Sequence, residues 1–412
     1  MDTPREFDIV LFGATGFTGH QASRYFAQHV PQSETRWALA GRNLQKLQAR
    51  RAELVQEFPD RPELAQLALV VADAHDLPRL REMCVRTRVL LTTAGPFAMY
   101  GENLVRICIE SRCDYVDITG ETPWVRHLID TYHTRAERQG VRIINFCGVD
   151  SIPSDLMTLY LAREVQQKLD EDLVGLNGYF QMRGGFNGGT AASMFHMAET
   201  GGLAELAQPF LLNSGEERLK KEPKDPVGIH WDKDWWAWMA PFMMGPVNTR
   251  VVRRSELLYR HDDDPYGANF SYQEYAWCDE LLPTRALTLS GVQLMVSELM
   301  QIPGVLKAAK AQLPQPGDGP SEASMEDGYL SVWFKGVTAS GQKIKGHFFS
   351  AGDPSNRTTV KLVSEAALML VHNREQLPES FEGGVLTPAT GLGLGLIDRL
   401  RAAGVEIGWE LF

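Results

Sequence analysis

Basic residues are the scarcer charge in this chain. Its 41 Lys and Arg stand against 52 Asp and Glu, a formal charge of -11 over 412 residues, and an acidic surface of that kind repels a phosphate backbone. Nucleic acid is therefore excluded as the main partner, with only a local basic patch left open. Cysteine is also sparse: Cys84, Cys108, Cys113, Cys147 and Cys278, without a CxxC pair. An odd count without that spacing suggests neither a disulfide framework nor a structural zinc site and fits a reducing cytosol. Long apolar runs are missing too. The most apolar stretch, 286–305, is broken by Gln293, Glu298, Gln301 and Pro303, so it fails the test of about 18 apolar residues for a spanning helix. Met1-Asp2-Thr3-Pro4-Arg5-Glu6 lacks the basic n-region and apolar h-region of a secretory signal. The expectation is a soluble cytoplasmic protein, with peripheral membrane association as the remaining membrane option.

What is present is a 44% hydrophobic fraction, enough for real cores, in a chain long enough for two or three domains of about 150 residues. The first 150 residues alternate short apolar runs with amphipathic stretches of helical length, the pattern of βαβ units around a parallel sheet. Strands are expected at Phe7–Phe12, Trp37–Ala40, Leu67–Val71, Val89–Thr93, Tyr115–Asp117 and Val141–Phe146. Helices are expected from the first strand to about Gln28, then at Leu44–Phe58, Leu77–Val85 and Glu102–Glu110. The fold class is α/β: a Rossmann-type doubly wound parallel sheet in 1–150, completed by 385–412, with a second mixed α/β domain, 151–384, inserted before the C-terminal return. In that second part the pattern predicts helices at Pro153–Leu169, Ala191–Ala207 and Thr358–His372, a strand at Gly175–Arg183, and a hairpin of Tyr329–Lys335 with Lys343–Ser350. Residues 312–328 read as a surface loop, and the tail as helix Gly391–Ala403 then strand Val405–Leu411.

Gly13, Gly16 and Gly19 fall at the end of the first strand and the start of the first helix, where a glycine turn lets backbone amides approach a pyrophosphate at a helix N-terminus. The GxxGxxG spacing of Gly13-Ala14-Thr15-Gly16-Phe17-Thr18-Gly19 still supplies the tight turn, the close approach and the close helix packing. In an NAD-binding domain the second strand ends in a carboxylate for the ribose 2′-hydroxyl; here it ends Ala40-Gly41-Arg42-Asn43. A guanidinium suits the 2′-phosphate of NADP through charge-assisted bonds, so NADP(H) is expected, with Arg42 and Asn43 beside that phosphate. Asp73, past the third strand, faces the adenine or caps the next helix. Thr93-Ala94-Gly95-Pro96-Phe97, past the fourth, runs under the ribose and nicotinamide.

Missing motifs exclude several chemistries. There is no Tyr-x-x-x-Lys pair, no GxSxG elbow, no GxxxxGK[ST] loop, and no Cys and His spacing for catalytic zinc. The strings Val10–Gly19, Ala40-Gly41-Arg42, Ala94–Phe97, Tyr100-Gly101-Glu102, Asp117–Glu121, Gly148–Leu156 and Gly383–Pro388 together resemble the saccharopine dehydrogenase-like oxidoreductases, nearest their trans-acting enoyl reductase branch. That resemblance implies an NADP-binding Rossmann domain and hydride reduction of a carbon-carbon or carbon-nitrogen double bond. It also implies a cleft lined by Gly148 and Ser151 with Gly184 and Gly185 opposite. Ser151-Ile152-Pro153 replaces the family's frequent Pro-Gly after the aspartate, and no arginine set for clamping an amino-dicarboxylate is evident.

Reduction needs a proton as well as a hydride. Tyr100 and Asp150 are the candidate donors, with Glu121 and Ser151 nearby; Asp150 and Ser151 alternatively cap the helix from Pro153. Trp231, Trp235, Trp236 and Trp238, followed by Met239, Pro241, Phe242, Met243 and Met244, suit a channel for an acyl substrate, an interfacial patch on a membrane or a second subunit of a homodimer, or an ordinary core. Leu289, Val292, Met295, Val296, Leu299 and Met300 have helical spacing and are expected to form a buried face. Arg250, Arg253 and Arg254, with Lys220 and Lys221, read as solvated surface charge, with recognition of a phosphate on an acyl carrier group as the alternative. The functions in contention are an NADPH-dependent reductase of an apolar, enoyl or acyl small molecule; a catalytically silent nucleotide-binding module at a lipid surface; and an imine reductase.

Overall fold

The computed structural model describes residues 5–185, 188–215, 217, 224–278, 281–299 and 318–412, apart from the side chains of 296–299. The first half of the chain is β1 (Phe7–Phe12), α1 (Phe17–His29), β2 (Trp37–Gly41), α2 (Leu44–Glu57), β3 (Ala68–Val71), α3 (Leu77–Val85), β4 (Thr87–Thr92), α4 (Phe97–Ser111), β5 (Asp114–Asp117), α5 (Thr122–Gln139) and β6 (Arg142–Ile144). Then follow α6 (Ile152–Leu169), β7 (Leu173–Arg183), α7 (Gly188–Glu199), α8 (Gly202–Leu206), β8 (His230–Asp232), β9 (Ala237–Pro241), α9 (Gly245–His261), β10 (Ser271–Cys278) and α10 (Thr284–Leu299). The remainder is α11 (Glu322–Glu326), β11 (Tyr329–Thr338), β12 (Lys343–Ala351), α12 (Thr359–His372), β13 (Gly384–Leu386), α13 (Pro388–Leu392), α14 (Gly395–Ala402) and β14 (Glu406–Leu411).

Two seven-stranded sheets result, in an α/β fold. The first has the order β13-β6-β5-β4-β1-β2-β3, with every pair parallel. β1 and β2 are buried along their whole length, as a sheet covered on both faces requires. The second, β14-β12-β11-β7-β10-β9-β8, is antiparallel except for β7 with β10. Its inner face packs on α6 and α9. Its outer face carries Trp277, Trp333 and Tyr275, against which Trp235 and Phe412 pack. Alternation along β10 puts Tyr275 and Trp277 on the side opposite Glu274. No helix among the described residues is long and apolar enough to cross a membrane.

Several expectations need correcting. α5 lies between the fifth and sixth strands, where no helix was expected; its polar composition hides an inward stripe of Trp124, Val125, Leu128, Ile129, Tyr132 and Ala136. α4 begins five residues early, because the Glu121 carboxylate accepts the amides of Phe97 (2.7 Å) and Ala98 (2.9 Å) and stabilises a helix N-terminus there. The expected helix Ala191–Ala207 breaks at Gly201, whose φ is +80°. Within 312–328, residues 312–317 lie outside the described residues, while Ser321 caps the short helix α11. The C-terminal return divides: β13 pairs with β6 in the first sheet, but β14 pairs with β12 in the second. Gly404, at φ +81°, turns the chain, and β14 covers what would otherwise be an open edge of β12.

The face expected to be buried on α10 is also reversed. Leu289, Val292 and Met295 are 39, 46 and 54 % exposed, while Ala286 and Ser290 are buried. Small residues bring the helix close to β9, and the larger ones point away. Val296, Leu299 and Met300 lie outside what is described. The tryptophan-rich stretch divides as well. Trp231, Trp236 and Trp238 pack together on the β8–β9 hairpin at the sheet's end, with Trp236 76 % exposed. Phe242 instead stacks on Phe180 at 4.1 Å inside the core.

Candidate cofactor and proton-transfer site

The site begins at the carboxyl end of β1. Gly13 has φ +87°, and its amide and that of Ala14 bond to the Ala40 carbonyl at 3.0 and 3.2 Å. The chain thereby turns sharply into α1. At Gly19 a Cβ would stand 2.1 Å from the Gly13 carbonyl oxygen, so only glycine lets the helix come this near the turn. Gly16 is the N-cap of α1 and supplies no capping side chain, so the first amides of the helix, Phe17, Thr18 and Gly19, point out unsatisfied toward any anion placed there. Ala14, Thr18 and Gly19 are buried, while Thr15 and Gly16 are exposed. The Phe17 ring lies against the backbone at Gly319. Beside that contact, Glu322 of α11 meets Arg24 at 2.8 Å and Gln21 at 3.2 Å. The second half of the chain is thus fastened over the glycine turn.

Arg42 is exposed and shares with Asp73 one end of a groove of about 630 Å³ running down the edge of β3. Only that end lies at the carboxyl ends of the strands; the rest reaches Arg86, far below them. The Asn43 side chain accepts from the Lys46 amide (3.0 Å) through its oxygen and caps α2. The cap of α3 is Asp76, and Asp73 instead closes a turn on the His75 amide (2.9 Å). On β4's side, the Thr93 amide bonds the Phe12 carbonyl at 3.0 Å, and Ala94 lies against Gly13. Ala94, Gly95, Pro96 and Phe97 therefore run beside the glycine turn.

Glu121 was expected to line the substrate cleft. It is 1 % exposed, and besides the two α4 amides its carboxylate accepts from Ser193 Oγ at 2.7 Å. It is a buttress that holds the Ala94–Phe97 loop and ties α7 over it. Tyr100, expected as a proton donor, places its ring 5.8 Å from that of His75 in the turn after β3. Gly148 packs on Thr359, and Gly184 and Gly185 on Asp353–Pro354 and Pro320. The two glycine segments thus sit at opposite ends of the π turn Pro354–Thr358 that leads into α12.

Four carboxyls in this region are pushed up to about 7 by desolvation. Asp117 is fully buried and accepts from Tyr115, Thr119, Asn145 and Phe146, fastening the ends of β5 and β6. Asp155, also buried, joins α6 to Ser255 on α9 and to the Ala389 amide (2.8 Å). Glu274, on β10, accepts from Ser154, from Tyr272 at 2.7 Å and from Asn248 at 2.9 Å. Asp150 differs from these three: it retains partial exposure, and desolvation raises it with no hydrogen bond to offset the shift. Next to it, Ser151 is buried with its hydroxyl unpartnered.

Glu274, Ser154 and Asn248 went unrecognised in the sequence. An isolated acid within Ser271–Cys278 has no motif around it, and its place between two tyrosines of an aromatic-rich strand is the one available signal. The arginines of α9 are another correction. Arg250, Arg253 and Arg254 are buried, bonding Leu206, Gln208, Pro209 and Ser214, and so are not solvated charge. Lys220 and Lys221 lie outside the described residues.

A parallel sheet whose first helix offers bare amides above a glycine turn, joined to a mixed sheet that closes over it, defines a nucleotide-dependent oxidoreductase of the Rossmann type. The comparisons agree. A sequence model of the saccharopine dehydrogenase NADP binding domain matches residues 9–144. A trans-acting enoyl reductase of Mycobacterium ulcerans is 35% identical, the match covering 98% of this chain and 97% of that one. A Mycobacterium tuberculosis protein assigned provisionally to the same class is 36% identical over 98% of both chains. Among solved structures, the glutamate-forming saccharopine dehydrogenase of Saccharomyces cerevisiae superposes with a TM-score of 0.55 at 12% identity, covering 98% of this chain and all of that one. The homospermidine synthase of Legionella pneumophila, solved with NAD, gives 0.51 at 10% identity over 99% and 92%. The chain belongs to the saccharopine dehydrogenase-like oxidoreductases, in the family of the trans-acting enoyl reductases, and its cofactor is NADP.

Proposed function

We propose that this oxidoreductase reduces the carbon-carbon double bond of an apolar enoyl substrate and that Asp150 gives the proton. One observation carries the reading: of the four carboxyls that burial holds near 7, Asp150 is the one that keeps partial exposure. A general acid works best with a pKa near the operating pH. Bound NADPH supplies the hydride. The chain's own residues do the rest. The amides of Phe17, Thr18 and Gly19 hold the pyrophosphate, and Arg42 takes the 2′-phosphate. The Ala94–Phe97 loop, braced by Glu121, supports the reactive end, and α7 keeps water from it. The Asp150 carboxyl holds the proton destined for the carbon left negative.

The substrate class is supported by the names of the full-length relatives. An amino-dicarboxylate is disfavoured, because the three α9 arginines are buried and engaged by the Asp225 carboxylate, backbone carbonyls and a serine hydroxyl. The test is NADPH consumption with a panel of trans-2-enoyl thioesters beside imine and keto acceptors. Turnover of the enoyl compounds, lost in Asp150→Asn while NADPH still binds, is the expected result. Amine-dependent consumption instead would move the assignment to imine reduction.

A further inference from the structure

We propose that Glu274, one layer behind Asp150, is the residue that positions this acid and holds the proton on it. The inference rests on the reading of Asp150 as the donor, and its evidence is a cluster that reading does not use. Asp150 and Ser151 lead directly into α6, and Ser154 in the first turn of that helix donates to Glu274 Oε1. Whatever fixes Ser154 therefore fixes the base of Asp150. From the other side, Asn248 in the first turn of α9 donates to Glu274 Oε2 at 2.9 Å. A Cβ on Gly245, at the start of that helix, would lie 3.7 Å from the Glu274 Cβ. One carboxyl thus joins the strand of the second sheet to the first turns of both helices that face the cleft.

The chemistry of its partners suits a group that changes charge. Ser154 and Tyr272 are hydroxyls, which donate to a carboxylate and accept from a carboxylic acid by rotating. Glu274 can thus lose or gain its proton without orphaning either of them. The ionisable groups around it are Tyr272 on its own strand, Asp150 and Asp155 flanking the first turn of α6, and Arg253 on α9, whose guanidinium feels the Glu274 charge. Asp150 in turn raises the affinity of Glu274 for its proton. Two carboxyls that repel across a buried cleft lose their protons in succession, as a pair.

The experiment is the pH-rate profile of the full-length enzyme with NADPH and a trans-2-enoyl N-acetylcysteamine thioester, compared with Glu274→Gln. Because the donor must be protonated, kcat falls on the alkaline side. Removing the neighbouring negative charge makes Asp150 easier to ionise, so in Glu274→Gln that limb moves to lower pH by on the order of one unit. The same variant lowers kcat at neutral pH on the order of tenfold, leaves the affinity for NADPH unchanged, and adds no further loss in an Asp150→Asn background. Tyr272→Phe removes a hydrogen bond without removing charge, and its limb stays where the wild type has it. Ser154→Ala severs the tie to α6 and lowers kcat with KM for NADPH unchanged, a test that survives if Glu274→Gln does not fold. An unmoved limb in Glu274→Gln, or wild-type kcat in Ser154→Ala, together with an inactive Asp150→Asn enzyme, overturns the inference about Glu274 alone. Normal turnover by Asp150→Asn overturns the donor assignment beneath it.

Discussion

Replacing Gly19 by alanine would put a methyl carbon 2.1 Å from the Gly13 carbonyl oxygen and 2.8 Å from both Gly13 C and Ala14 Cα. All three are backbone atoms, so no side chain can swing aside, and either α1 or the turn must move. Overpacking of this kind costs about 1–3 kcal/mol. The part of that strain taken up by the turn displaces the amides that face the pyrophosphate. At about 1.4 kcal/mol per tenfold in affinity, NADPH binding in Gly19→Ala is expected to weaken by about 10- to 100-fold. Calorimetric titration of NADPH into both proteins measures this, with a thermal scan to show how much of the strain appears as lost stability. Gly16→Ala is the comparison: its Cβ would come no closer than 3.4 Å to the nearest neighbour, so its thermal midpoint should match the wild type. Wild-type affinity and an unchanged midpoint in Gly19→Ala would refute the account of the turn.

Arg42→Ala should weaken NADPH binding by about 10- to 100-fold, the equivalent of a charged hydrogen bond of about 1.5–3 kcal/mol, while leaving NADH unaffected; equal losses for both coenzymes, by competitive titration, would contradict it. Glu121→Ala strips acceptors from the Phe97 and Ala98 amides and from Ser193, and should lower stability by about 1–3 kcal/mol and loosen cofactor binding with it. A full-strength binder with an unchanged midpoint would argue against the buttress. Asp117, Asp155 and Glu274 have folded-state pKa values raised to about 7. Their contribution is therefore fully present below the unfolded carboxylate value and lost as pH rises through about 7, so the thermal midpoint should fall between about pH 5 and pH 8; a rise across that window would show those carboxyls to be ionised in the fold. Glu322→Ala breaks ion pairs to Arg24 and Arg357, but Glu322 is half exposed, and a loss beyond about 1 kcal/mol in chemical denaturation would mean that the clamp over α1 is stronger than surface pairing.

The nucleotide half of the fold was legible because its signals are local. A buried strand, three glycines and a helix follow one another within β1 and α1, and Arg42 stands directly after β2, so contiguous residues carry the whole argument. What sequence reading missed depends on contacts between distant segments. Nothing around Glu121 says that it caps α4, since the helix it serves precedes it by more than a turn of chain and a strand. Tyr100 looked like a cleft residue from its place after Pro96, but the helix started at Phe97 and turned its ring to His75. α10 was misread for a different reason: it is apolar around most of its circumference, so periodicity could not select the side that meets β9. Its small residues, Ala286 and Ser290, decided the matter by allowing close approach. Glu274 needed both sheets assembled, because only then do α6 and α9 deliver Ser154 and Asn248 to one carboxyl. The tail's division between sheets turns on an edge of β12 that sequence does not display.

The central claim is that hydride from NADPH reaches an enoyl carbon while Asp150 protonates its neighbour. Its most direct measurement uses NADPH deuterated at the transferred position, a trans-2-enoyl thioester and mass spectrometry of the product. The account predicts a saturated thioester carrying one deuterium at the β-carbon, formed by the wild type and not by Asp150→Asn. Product without the label, or labelled product formed equally well by Asp150→Asn, would contradict it.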